Sequence, residues 1–91
     1  MTEPSSRNLH PKTGARFAFD RIAPAPVYEL RIYLPEGRTW LGSLRWVDDR
    51  AELEPAPTPD DPELVWAHDE ALKLARILRR DPRQHLLRWR G

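Results

Sequence analysis

The chain has 91 residues, of which 40% are hydrophobic and 32% charged, with ten prolines, four tryptophans and no cysteine. This length supports one small hydrophobic core and excludes two independently folded domains. The lack of cysteine excludes a disulfide framework, and the formal net charge of +1 excludes the strongly basic surface of a DNA-coating protein.

The N-terminal residues show neither the apolar run of a signal peptide nor the period of a helix or strand. We therefore expect residues 1–14 to form a mobile tail and residues 15–91 to form one domain. No segment approaches the roughly 18 to 20 apolar residues that span a bilayer, so we expect a cytoplasmic protein with no membrane partner. Phe17, Phe19 and Ile22 are costly to leave in water, at roughly 1.5 to 3 kcal/mol each, and should pack on the domain.

Residues 27–34 alternate between apolar and polar side chains, which is typical of a half-buried strand. A turn over residues 35–38, with proline and glycine, leads into a second predicted strand over residues 39–47. Asp48, Asp49 and Arg50 form the next turn, and a short third strand passes through residues 51–53. The pattern predicts a three-stranded antiparallel meander.

Within the second predicted strand, the even-numbered positions carry the larger aromatic side chains. Trp40, Leu44 and Trp46 share one face, whereas Leu41 and Val47 lie on the other. We expect the face with the tryptophans to form the core beneath a helix.

Residues 54–61 carry three alternating prolines between acidic ends, which predicts an extended linker. Asp61 as N-cap, followed by proline and glutamate, then starts a helix that should run to Arg80. Residues 85–90 form either a final strand or a packed tail. The expected fold is an α+β domain of the order β-β-β-α-β, with the meander packed against one long helix.

Two large apolar residues of the predicted helix, Trp66 and Ile77, fall opposite its sheet-facing arc. We call the line of residues that contains them the outer helix stripe. It comprises Trp66, Glu70, Lys73, Ile77 and Arg80. Either the phenylalanines near the N-terminus or the C-terminal Leu87 and Trp89 fold over this stripe, or it binds the helix or extended segment of a partner protein.

The charges are unevenly distributed along the chain. Residues 48–63 carry seven acidic residues and one arginine, whereas residues 73–91 carry seven basic residues and one aspartate. The two segments either neutralise each other or leave the basic end free for phosphate. The candidate phosphate-binding residues are Arg76, Arg79, Arg83, Arg88 and Arg90, with Trp89 as a stacking ring.

The three histidines, His10, His68 and His85, have no metal-ligand spacing, and the sequence predicts neither a metal site nor a cofactor. His68 falls on the sheet-facing arc of the helix and should be a packed residue. We therefore expect a non-catalytic protein-binding module, adaptor or complex subunit that uses the outer helix stripe and the basic C-terminal end. The alternative is a nucleic-acid-binding protein, and a homo-oligomer formed through the stripe is a third possibility.

Overall fold

One helix packs against one face of a five-stranded antiparallel sheet in the computed structural model, which describes residues 11–22 and 27–91. The elements in chain order are β1 (Ala15–Ile22), β2 (Val27–Tyr33), a 3-10 turn (Pro35–Gly37), β3 (Thr39–Val47), β4 (Arg50–Glu54), α1 (Pro62–Arg80) and β5 (His85–Arg90). The strand order is β4-β3-β2-β1-β5, and each neighbouring pair is antiparallel.

The α+β class and the single helix are confirmed, but the expected meander is one strand too short. The residues that we expected only to pack on the domain form β1, which lies between β2 and β5. Ala15, Phe17 and Phe19 alternate with half-buried positions along β1 and are at most 1% exposed. The alternation is hard to see in the sequence because Ala18 is also apolar and because Arg21 takes the next core-side position.

The remaining strands lie where the sequence places them. The β2–β3 and β3–β4 connections use left-handed backbone: φ is 64° at Glu36 and 76° at Gly37 in the first, and 51° at Asp48 and 65° at Asp49 in the second. Consecutive left-handed residues give the turn a twist that matches that of the flanking strands. Aspartate tolerates this conformation better than most residues with a side chain, which explains the Asp-Asp pair.

The helix begins and ends at the predicted residues. The Asp61 side chain accepts a hydrogen bond from the Leu64 N–H at 3.1 Å, and proline occupies the first turn. Arg38 forms ion pairs with both Asp61 and Glu63 and so links the first turn of the meander to the start of α1. None of the helices among the described residues is long and apolar enough to span a bilayer.

The core lies between α1 and the near face of the sheet. Trp40 is 9% exposed and Leu44 is fully buried, so the predicted core face of β3 is confirmed. Trp46 is half-buried and packs at the margin of this core. The buried apolar residues are Ala15, Phe17, Phe19, Tyr28, Leu30, Ile32, Leu34, Trp40, Leu44, Ala67, Ala71, Leu74, Ala75, Leu78 and Leu86.

Most of the predicted N-terminal tail, residues 1–10, lies outside the described residues. Gly14, within the predicted tail, is held close to the end of β5. A Cβ atom on Gly14 would lie 2.1 Å from the Arg90 carbonyl oxygen, and its φ of +75° also favours glycine. Gly14 therefore lies against the end of β5 directly before β1 begins.

Phe19→Ala tests the contribution of β1 to the core. Phe19 is 1% exposed, so its truncation should lower the free energy of unfolding by about 3 to 5 kcal/mol, which is enough to unfold much of so small a domain. Leu87→Ala, on the same pair of strands but with an exposed side chain, should change it by less than about 1 kcal/mol. Urea denaturation followed by tryptophan fluorescence measures both, and similar losses would contradict this assignment of the core.

Candidate interaction surfaces

The face of the sheet opposite α1 carries the exposed apolar side chains of the domain. Among the described residues, five large hydrophobic side chains are exposed, by between 40% and 58%: Ile22, Leu41, Val47, Leu87 and Trp89. Successive side chains of a strand point to opposite faces. By this alternation, all five point away from α1, on the surface that we call the open sheet face.

The strand register places several of these side chains in one patch across the sheet, which Arg31 interrupts between Ala18 and Leu41. Ala18 pairs with Leu87 on one side and with Arg31 on the other, and Arg31 pairs with Leu41. Neighbouring strands lie about 4.8 Å apart, so these side chains form a row from β5 to β3. Trp89 lies two residues along from Leu87 on the same face and extends the patch.

A row of charged residues, with Asp20 and Glu29, runs beside this patch, and Arg31 reaches into it from the patch. Arg31 Nη2 lies 2.7 Å from Asp20 Oδ2, and its Nε lies 4.0 Å from Glu29 Oε1. His85 Nδ1 is also hydrogen-bonded to Asp20. Burial alone would raise the pKa of the Asp20 carboxyl, but the hydrogen bonds from His85 and Arg31 outweigh it and the pKa lies below its ordinary value. Asp20 is therefore an anion held between two donors.

Further toward β4, the open sheet face carries a second ion pair, between Arg45 Nη2 and Glu54 Oε2 at 3.6 Å. Both signs of charge are thus present along the face and pair within it. By strand alternation the charged residues of its five strands are Arg16, Arg31, Arg45, Arg50, Asp20, Glu29, Glu52 and Glu54. The face is consequently close to neutral.

The outer helix stripe lies along a flank of α1, near β5. Trp66 and Ile77 are half-buried and pack against the core. Glu70, whose side chain is 15% exposed, accepts a hydrogen bond from Lys73 at 2.9 Å and lies 3.6 Å from Arg90 Nε. The apolar members of the stripe are therefore partly covered by the domain itself.

The residues that could have covered this stripe, in one of the two alternatives from the sequence, do not pack on it. Phe17 and Phe19 are buried on the helix side of β1 and belong to the main core. Leu87 and Trp89 lie on the open sheet face, away from the helix. The expectation that these residues fold over the back of α1 is wrong, because β1 and β5 join the sheet and the sheet fixes which way their side chains point.

The structure divides the candidate phosphate-binding arginines into separate groups. Arg76, Arg79 and Arg80 line a groove between the end of α1 and the β3–β4 hairpin, together with Trp46. Arg79 forms an ion pair with Asp49, and its guanidinium carbon lies 6.0 Å from the centre of the Trp46 ring. This ion pair joins the acidic segment, residues 48–63, to the basic segment, residues 73–91. It agrees with the first of the two alternatives, in which the segments neutralise each other.

The other arginines lie near the far edge of the sheet. Arg83 pairs with Asp81 at 2.9 Å. Arg88 donates to the Leu87 carbonyl at 2.9 Å and Arg90 donates to the Trp89 carbonyl at 3.3 Å. Trp89 is on the opposite face from Arg88 and Arg90, so it does not form one surface with the helix arginines.

These last hydrogen bonds cap the free edge of β5. The Arg21 N–H donates to the Gln84 carbonyl at 2.8 Å. Because hydrogen-bonded pairs alternate along an antiparallel ladder, the carbonyls of Leu87 and Trp89 point away from β1. Arginine side chains that cover edge carbonyls, and that carry charge along the edge, disfavour pairing with another strand.

His68 is the one buried charged or polar residue among the described residues, with 4% exposure. Its ring packs edge-to-face on Trp40, with 4.5 Å between the ring centres. Neither ring nitrogen has a hydrogen-bond partner among the described residues. Burial lowers the pKa of His68 because the charged form loses its hydration. The expected packed histidine is therefore a neutral core residue at the margin of α1 and β4.

This burial predicts a pH dependence of stability. The unfolded chain binds a proton at His68 near the ordinary pKa of about 6.5, whereas the folded chain binds it only at lower pH. Stability should therefore be unaffected above that pKa and fall as the pH drops below it, by at most about 1.4 kcal/mol per pH unit.

His68→Leu should remove the loss of stability that protonation of His68 causes at low pH. His85→Gln replaces an exposed histidine and should retain that loss. Urea denaturation between about pH 7 and pH 5 separates the two variants from the unmodified chain. An unchanged slope in His68→Leu would contradict the assignment.

The described residues contain no group of three histidine, cysteine, aspartate or glutamate side chains arranged to hold a metal ion. Comparisons with protein-family models, curated proteins and solved structures gave no match for the chain.

Proposed function

We propose that the chain is a small non-catalytic protein-binding module and that the open sheet face is its main binding surface. One observation carries this proposal: the five exposed large hydrophobic side chains among the described residues share that face. Single exposed apolar residues are common on monomeric proteins, whereas the concentration of all five on one face, interspersed with charge, favours an interaction site.

The charge of the open sheet face favours a protein over nucleic acid. Arg31 is paired with Asp20, and Arg45 with Glu54. A surface that follows a phosphate backbone needs an excess of unpaired cations, because its affinity comes largely from neutralised phosphates. A near-neutral surface with Trp89 and two leucines instead suits a partner with its own apolar side chains and mixed charges.

The outer helix stripe is a secondary candidate. Trp66 and Ile77 keep some exposed surface, but both already pack on the core. Lys73 and Arg80 are the exposed members that an approaching partner would meet first. A protein bound there would contact a mostly polar flank, which offers less apolar area than the open sheet face does.

A pair of double variants tests which surface binds. Leu41→Gln with Leu87→Gln removes apolar area from the open sheet face, and Lys73→Gln with Arg80→Gln alters the stripe by the same number of substitutions. Because all four side chains are exposed, both variants should keep the melting temperature within a few degrees.

Affinity capture followed by titration of the purified captured protein then provides the measurement. We expect the leucine variant to weaken binding by at least about tenfold and the stripe variant to change it little. Loss of binding in the stripe variant alone would move the site to the helix. Equal binding by all three chains would overturn the proposed function.

The second candidate function, nucleic-acid binding, is supported by the groove beside Trp46. Arg76 and Arg80 line it without an ion pair to any residue of the ranges 11–22 and 27–91. Two unpaired guanidinium groups next to an aromatic ring are the elements of a site that holds phosphate and stacks a base. Asp49 and Glu52 also line the groove and reduce its positive charge.

Arg76→Gln with Arg80→Gln tests this alternative. If the groove binds phosphate, a labelled single-stranded oligonucleotide should bind the unmodified chain at low salt, and binding should weaken steeply as salt increases. The double variant should bind more weakly and show a shallower salt dependence, by about one to two counterions. Fluorescence anisotropy measures both, and no binding at low salt would exclude this function for the groove.

A further inference from the structure

We infer that the partner of the open sheet face is a second copy of the same chain, so that two sheets pack face to face in a symmetric dimer. This inference rests on the proposed function, because it names the occupant of the same surface. Three features of that surface support a second copy: its charge balance, its layer geometry and its protected edge.

The charge balance makes the face complementary to itself. A twofold interface presents the same patch from both copies, so each charge must find its opposite within that one patch. Arg31 and Glu29 are neighbours on β2, and Arg45 and Glu54 are neighbours across β3 and β4. A half-turn in the interface plane can bring the cations of one copy over the acids of the other, and no net charge accumulates between them.

The domain has two layers, one sheet and one helix, so one face of the sheet is free to pack against a second sheet. The shortest dimension of the molecule is 19 Å, which corresponds to one sheet and one helix at about 10 Å each. In a sandwich, two sheets pack about 10 Å apart with their strands within about 30° of each other, and the apolar side chains interdigitate. Leu41, Leu87 and Trp89 have the positions of inner-face residues in such a sandwich, with α1 as an outer layer.

The area predicts weak association. Five strands at about 4.8 Å spacing, with about seven residues each at about 3.3 Å, give a plane of roughly 550 Å² per copy. Two facing copies bury more than twice this value, because side chains protrude, and so reach the lower end of the roughly 1,200 to 2,000 Å² of stable interfaces. We therefore expect a dissociation constant on the order of micromolar.

The free edge of β5 does not offer an alternative route to the same dimer. The Arg88 and Arg90 guanidinium groups already donate to its outward carbonyls. Two β5 strands side by side would also bring these arginines together, which is unfavourable between like charges. Association through the open sheet face requires neither rearrangement.

Sedimentation equilibrium of the full chain from micromolar to millimolar concentration tests the inference. We expect a monomer–dimer equilibrium whose dissociation constant increases by at least about tenfold in Leu41→Gln with Leu87→Gln. Lys73→Gln with Arg80→Gln, on the outer helix stripe, should leave it unchanged. In a mixture of ¹³C-labelled and unlabelled chains, intermolecular NOEs should arise from the Leu41 and Leu87 methyl groups. Circular dichroism melting verifies that both variants are folded.

Each other outcome overturns the inference in a distinguishable way. A chain that remains monomeric at millimolar concentration excludes a second copy as the partner of this face. The proposed function nevertheless holds if the leucine variant binds another captured protein more weakly than the unmodified chain does. A dimer that the leucine variant does not weaken places self-association on another surface. If that variant also keeps its captured protein, the proposed function fails as well.

Discussion

Burial of one face of the sheet beneath α1 is the interaction on which the rest of the structure depends. Phe17 and Phe19 of β1 and the alanines of α1 belong to one buried cluster. Ala67, Ala71 and Ala75 recur every four residues and are at most 1% exposed. Such a small-residue line lets the helix axis approach the strands closely, and the aromatic rings then fill the remaining space.

One helix covers one face, and the other properties of the molecule follow from this asymmetry. Every second side chain of each strand is left on the far side, where Leu41, Leu87 and Trp89 are exposed. The charges on that side pair with each other, as between Arg31 and Asp20. The face is therefore polar in part but carries no excess of positive charge. The exposed apolar area and the neutral charge are the two properties on which the proposed binding function rests.

Local patterns in the sequence predicted the elements better than the surfaces. Three local features predicted these elements: the alternation of β2, the prolines and aspartates of the turns, and the Asp61 cap. Each involves only residues close together in the sequence, so it can be recognised without the tertiary structure. The strand character of β1 was missed because Ala18 and Ile22 blur its alternation. The packing of Trp66 could not be predicted from the sequence, since an angle around the helix does not show that its large ring reaches the core.

The sequence by itself determined the α+β class, the helix limits, the core face of β3 and the segregation of acidic and basic residues. Only the tertiary structure decided that β1 lies between β2 and β5, that the C-terminal arginines separate into a groove and an edge, and that Leu87 and Trp89 share a face with Leu41. The physical reason is that strand order is a nonlocal property. It depends on which segments bury the most apolar surface together, and residues more than 60 positions apart become neighbours through it, as Ala18 and Leu87 do.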